Sequence, residues 1–220
     1  MKCQKDGDLF YALTYYHLLC ILVYVMNHGA RENNTIIISK ETVNHETIIA
    51  NLRKTGLFQQ VIVIDDRKIL DQGPRKSCYT DDEIKEIIKE KAYAVKKELP
   101  LDVKKFKRIF ICADHFPIGI YLNYFKIKYF YFEDGAGQQS ICDTTIEKSI
   151  KPCDMQLYFI IEQLKLFGRN KNVRCCYVNK HCQQKKSHLK EIIKYRNFNV
   201  VKELLKLRQD QKNLILKVFN

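Results

Sequence analysis

The chain has 220 residues, 46% hydrophobic and 29% charged, a balance that excludes an intrinsically disordered protein and fits one large domain or one and a half smaller ones. The net charge of +13 is concentrated at one end: residues 1–164 carry 23 Lys/Arg against 22 Asp/Glu, whereas residues 165–220 carry 15 against 3. The nine cysteines are odd in number and follow no regular spacing, which excludes a disulfide framework and argues for a reducing, cytoplasmic compartment.

From Leu9 to Gly29 no side chain is charged if His is neutral, a length that could cross a bilayer. Its tyrosines, His17, Asn27 and His28 make it poorly apolar, and the flank Lys2, Lys5, Asp6, Asp8 has no net charge. The preferred reading is a buried strand over Leu9–Thr14 followed by a helix over Tyr16–Asn27. Thr35–Ser39 is a β-branched strand. A helix over Val43–Lys54 is closed by Gly56, and Gln60–Ile64 is a buried strand ending in Asp65-Asp66. Thr80-Asp81-Asp82-Glu83 has the spacing of a capping box. Ile84, Ile87, Ile88, Ala92 and Val95 then keep helical period through Lys97.

Arg108–Cys112 is the fourth strand, His115–Tyr124 a short helix or loop, and Lys128–Phe132 the fifth strand. Asp154–Phe167 is helical up to Gly168, and Val173–Val178 is a sixth strand. Lys186–Arg208 is a basic helical stretch broken near Asn197, and Asn213–Phe219 reads as a strand that begins a new unit. Continuous apolar strands alternating with helices define an α/β fold, a Rossmann-like parallel sheet with helices on both faces. The expected organisation is a domain over 1–180, then a basic linker and the start of a second domain over 181–220.

The turn after the first strand, Thr14-Tyr15-Tyr16-His17, has no glycine, and no Gly-rich loop ends in Lys-Ser or Lys-Thr. Dinucleotide enzymes and P-loop NTPases are thereby disfavoured. The strongest chemical signal is the aromatic strand that runs into Glu133-Asp134-Gly135-Ala136-Gly137. Its glycines permit a sharp turn, and the strand would deliver two carboxylates to the carboxyl edge of the sheet, where open α/β folds place their ligands. A solvated β-to-α turn is the plain alternative. His17 reads either as a ligand-binding group or as a helix-start His bonded to backbone, and Asp65 and Asp66 as helix-start residues or acceptor-binding ones. Cys175, Cys176, His181 and Cys182 lack the Cys-x-x-Cys spacing and second pair of a zinc site, so no metal is expected.

These features together resemble bacterial glycosyltransferase family 52. The residues that carry the resemblance are Thr14-x-Tyr16-His17-Leu18 after the first strand, Asp65 at the end of another, and above all Glu133-Asp134-Gly135-x-Gly137. It covers roughly residues 8–180 and implies the amino-terminal half of a two-domain GT-B enzyme of the lipooligosaccharide sialyltransferase and capsule-enzyme kind. The implied substrates are a nucleotide sugar, typically CMP-sialic acid, and a sugar acceptor on a glycan or glycolipid, with no cofactor. Glu133 and Asp134 would be catalytic, and Gly135, Gly137, Thr14, His17 and Asp65 would bind acceptor or shape turns. The implied location is cytoplasmic, with peripheral contact at the inner membrane face. The family's donor half carries a His-Pro motif, and this sequence has no adjacent His-Pro. It therefore reads as the acceptor half, active when completed by a donor-binding domain. The alternative is a non-enzymatic protein that uses its basic 165–220 region on nucleic acid or an anionic membrane. No RNA-recognition signature supports the nucleic-acid version.

Overall fold

A computed structural model of the protein describes residues 6–28, 33–71, 76–132, 146–179 and 195–220. Its strands are β1 (Asp6–Ala12), β2 (Thr35–Ser39), β3 (Gln60–Ile64), β4 (Phe106–Cys112), β5 (Tyr129–Phe132), β6 (Val173–Val178) and β7 (Tyr195–Asn197). They form one sheet in the order β3-β2-β1-β4-β5-β6-β7, and every pairing is parallel. The strand order reverses between β1 and β4, which pair in register from Asp8 with Arg108 to Tyr11 with Ile111. A crevice opens at the carboxyl ends of the two strands that flank such a reversal, and open α/β sheets bind their ligands there.

The helices are α1 (Tyr15–His28), α2 (His45–Thr55), α3 (Asp66–Leu70), α4 (Asp81–Glu98), α5 (Pro117–Tyr124), α6 (Met155–Leu164), α7 (Val200–Leu205) and α8 (Gln209–Phe219). The local signals act as their chemistry dictates. Thr80 accepts the Glu83 N–H at 3.3 Å, and Glu83 accepts the Thr80 N–H at 2.9 Å, so two otherwise orphaned donors at the start of α4 are satisfied. Gly56, at φ 68, ends α2 in the left-handed conformation that other residues adopt only with strain.

Side-chain alternation on the strands builds two apolar layers. Phe10, Phe110 and Phe132 face one side with α1, α2, α7 and α8, whereas Tyr11, Ile111, Tyr129 and Tyr131 face α4 and α5. An aromatic row crosses the first face: Phe110 stacks on Phe10 at 5.1 Å and on Phe130 at 5.0 Å between ring centres. α6 packs outside α4 in a third apolar cluster.

The ends of α1 and β1 shift slightly from expectation: the strand runs from Asp6 to Ala12 and the helix from Tyr15 to His28. No described helix is long and apolar enough to cross a membrane. The carboxyl-terminal region differs more. Residues 213–219 read as a strand in the sequence, but they form the body of α8. A short apolar run cannot distinguish the two periods, and the contacts decide: Ile215 and Val218, three apart, are buried while Leu216 points outward. Likewise Tyr195–Asn197, within the stretch read as helical, is a strand that pairs with β6. Phe198, Val200, Leu207, Ile215 and Val218 then join the apolar layer that covers α1 and the first face of the sheet.

Candidate functional site

The carboxyl edge is assembled from the turns that follow the strands. After β1, Thr14 shapes the start of α1: its hydroxyl accepts the His17 N–H at 3.3 Å and its carbonyl accepts the Leu18 N–H at 3.0 Å. His17 is fully buried, and its Nδ1 accepts the Leu13 N–H at 3.3 Å, which places the ring proton on Nε2. The Leu13 carbonyl accepts from the Thr42 hydroxyl at 2.8 Å, so the turns after β1 and β2 are tied together. Thr14 and His17 thus lie in the turn after β1, beside the strand-order reversal, and both make the backbone contacts of a helix start.

After β3, adjacent carboxylates divide their roles. Asp65 caps α3, accepting the Lys68 N–H at 3.1 Å, and pairs with Lys40 at 3.3 Å; the backbone donor and the lysine hold its carboxyl below the usual range. Asp66 is fully buried. It accepts the Tyr11 hydroxyl at 3.0 Å through Oδ2. Burial, helped by the nearby Glu41 and Asp65 charges, pushes its carboxyl up to about 6. Burial and the same carboxylate also raise the Tyr11 hydroxyl.

A small cleft of about 190 Å³ opens next to these turns, lined by Glu41, Arg67, Asp71, Lys91, Phe116 and Asp154 among others. Lys91 is buried there and donates to the Ile69 and Leu70 carbonyls at 3.1 and 2.7 Å, capping the last turn of α3. Burial pushes its ammonium down to about 8. Mixed charge in a partly desolvated cleft suits a polar, hydroxyl-rich ligand.

The residue that sequence reading passed over is Asp114, just after β4. It is fully buried and accepts three hydrogen bonds: from the Phe167 N–H at 2.6 Å, the Gly168 N–H at 2.9 Å and the Tyr129 hydroxyl at 2.8 Å. Asn123 donates to Tyr129 at 3.1 Å and to the Gly119 carbonyl at 2.9 Å, and Asn172 donates to Asn123 at 3.2 Å. Burial raises the carboxyl to about 6 against the pull of these donors. The geometry gives Asp114 a positioning role: it pins the turn at 165–168, where Lys165, Phe167 and Gly168 all have positive φ, to the end of β4. The available signal was an acid directly after an apolar strand, with Gly119 five residues on. A Cβ on Gly119 would lie 2.0 Å from the Asp114 carbonyl oxygen.

β5 ends at Phe132 between β4 and β6, and Glu133, Asp134, Gly135 and Gly137 lie outside the described residues, as do His181 and Cys182. Cys175 and Cys176 are buried in β6, where successive side chains face opposite sides of the sheet, and burial pushes the Cys176 thiol up. Among the described residues no group of three or more His, Cys, Asp or Glu could hold a metal ion.

The architecture is an α/β, Rossmann-like parallel sheet flanked by helices. The crystal structure of Medicago truncatula UGT71G1 complexed with UDP-glucose aligns with 98% of this chain and 57% of its own, with a TM-score of 0.50 and 16% sequence identity. This chain therefore spans little more than half of that neighbour's length, and the likeness is one of fold. No protein-family model and no curated protein matches the sequence.

Proposed function

We propose that this chain is glycosyltransferase-like and holds a sugar acceptor at the carboxyl edge of its sheet, opposite a nucleotide sugar. The observation that carries this reading is the likeness of nearly the whole chain to a GT-B crystal structure complexed with UDP-glucose. The reversal of strand order between β1 and β4, with polar turns at its carboxyl side, supports it. In the proposed reaction an acceptor hydroxyl attacks the anomeric carbon as the bond to the nucleotide phosphate breaks. A carboxylate takes the hydroxyl proton, and the leaving phosphate keeps the electron pair. Glu133 and Asp134, which follow the last residue of β5, are the proposed base and its neighbour. Thr14, His17 and Asp65 shape the turns around the acceptor. The family 52 resemblance narrows the donor to CMP-sialic acid and the acceptor to a bacterial surface glycan or lipooligosaccharide made at the inner membrane face. In this reading a donor-binding domain completes the site.

The test has two parts. Calorimetric titration of the 220-residue chain with CMP-sialic acid, UDP-glucose and a lipooligosaccharide acceptor is expected to show acceptor binding. Turnover is then measured with the donor-binding half supplied. Glu133→Gln or Asp134→Asn is expected to lower kcat by a factor of about 100 or more, the usual contribution of a positioned base. Wild-type turnover in both variants removes the assigned base, and no binding of acceptor or donor removes the reading.

A further inference from the structure

The opposite edge of the sheet carries a feature that sugar transfer does not use. At the amino-terminal ends of β4, β5 and β6 lies a groove of about 330 Å³. Its rim includes Lys104 from the turn before β4, Lys107 from the start of β4, Lys126 and Lys128 from the turn before β5, and Arg174 from β6, all exposed. Phe106, Phe125 and Phe130 line its apolar wall, and among the described residues none that lines it is acidic.

The countercharges nearby are already committed. Asp8 holds Arg108 with both oxygens, at 2.9 and 2.5 Å, and Arg108 also donates to the Tyr24 hydroxyl at 3.3 Å. Asp102, whose carboxylate accepts the Lys104 backbone N–H at 3.0 Å, is not among the described residues that line the groove. Lys128 reaches the Lys171 carbonyl at 2.8 Å, which leaves its charge unbalanced. Among the described residues none of the five rim cations has a carboxylate within ion-pair distance. Five cations drawn from three chain segments around one concavity repel each other in the empty protein. Low-dielectric walls focus their field into the groove.

We propose that this groove is a binding site for a phosphate-bearing anion, gripped by Lys104, Lys107, Lys126 and Arg174 against the phenylalanine wall. Charge-assisted bonds from ammonium and guanidinium groups fit phosphate oxygens, and the volume suits a group of diphosphate to nucleotide size. The phosphate could belong to a free diphosphate or to an anionic lipid headgroup.

The experiment titrates the full chain with inorganic pyrophosphate in one arm and measures co-sedimentation with phosphatidylglycerol-containing vesicles in the other. Lys107→Gln/Arg174→Gln is compared with Lys54→Gln/Lys217→Gln, which removes equal charge from the exposed faces of α2 and α8. Unchanged melting temperatures establish that both variants are folded. The groove variant is expected to bind about a hundredfold more weakly, the effect of losing two charge-assisted contacts, while the control changes less than about twofold. Loss in the pyrophosphate arm identifies a free phosphate ligand, and loss confined to vesicles identifies the headgroup. Equal loss in both variants, or no saturable binding in either arm, overturns the proposal.

Discussion

Replacing Asp114 with alanine tests the account of the sheet's carboxyl edge most directly. The substitution strands three buried donors: the Phe167 and Gly168 N–H groups and the Tyr129 hydroxyl. At about 2 kcal/mol each, the abandoned donors cost about 6 kcal/mol. Against this, the variant no longer buries a carboxylate. The rise of that carboxyl from 3.8 to about 6 corresponds to about 3 kcal/mol of unfavourable charge burial at neutral pH. The net expectation at pH 7 is a loss of about 3 kcal/mol. The pH dependence makes the test specific. Because the folded value lies above the unfolded one, this group's stabilisation is fully present below the ordinary carboxyl range and is lost as pH rises through about 6. Between pH 7 and about pH 4.5 the wild type recovers about 2 kcal/mol from this group and the alanine variant recovers none. The difference between the two should therefore widen from about 3 to about 5 kcal/mol on acidification. Urea unfolding followed by circular dichroism at both pH values reads it. A difference that is flat or narrows in acid refutes the assignment of Asp114 as a buried carboxylate restrained by three donors.

Asp66→Asn removes a second buried charge while keeping an acceptor for Tyr11, and should stabilise the protein by about 1–2 kcal/mol at pH 7. The folded value is again the higher one, so the gain should vanish by about pH 4, which the same urea series measures. Gly119→Ala forces a methyl into the Asp114 backbone and should cost about 3 kcal/mol, seen as a fall of several degrees in the melting temperature; an unchanged melt would contradict the close approach. Asp8→Ala leaves the partly buried Arg108 without its carboxylate and should cost about 3 kcal/mol. Asp8→Leu combined with Arg108→Met should recover most of that, and a double variant as unstable as the single one would show that packing rather than charge dominates there.

Short β-branched and aromatic runs bounded by turn residues were enough to place the sheet's first six strands, and helical period with a capping box was enough for α4. Thr80 and Glu83, and Gly56, work through contacts within a few residues, so their roles are legible in one dimension. The same holds for Asp65, whose cap partner Lys68 is three residues away. What sequence reading could not reach depends on distant partners. Asp114 did not stand out because two of its three donors lie more than fifty residues further on and the third, Tyr129, fifteen. The run at 213–219 was read as a strand, and it is a helix because α1 and α2 supply a surface for one helical face.

Charge followed the same division. Near neutrality over residues 1–164 is true as a sum, yet Lys104, Lys107, Lys126 and Lys128 meet at one edge while Asp65 and Asp66 lie at the other. The amino-acid sequence determined an α/β chain with acidic turns after its strands, since backbone propensity and side-chain alternation are local. The folded arrangement decided which acids are buried and which cations share a groove, since desolvation and electrostatic fields depend on distance through space.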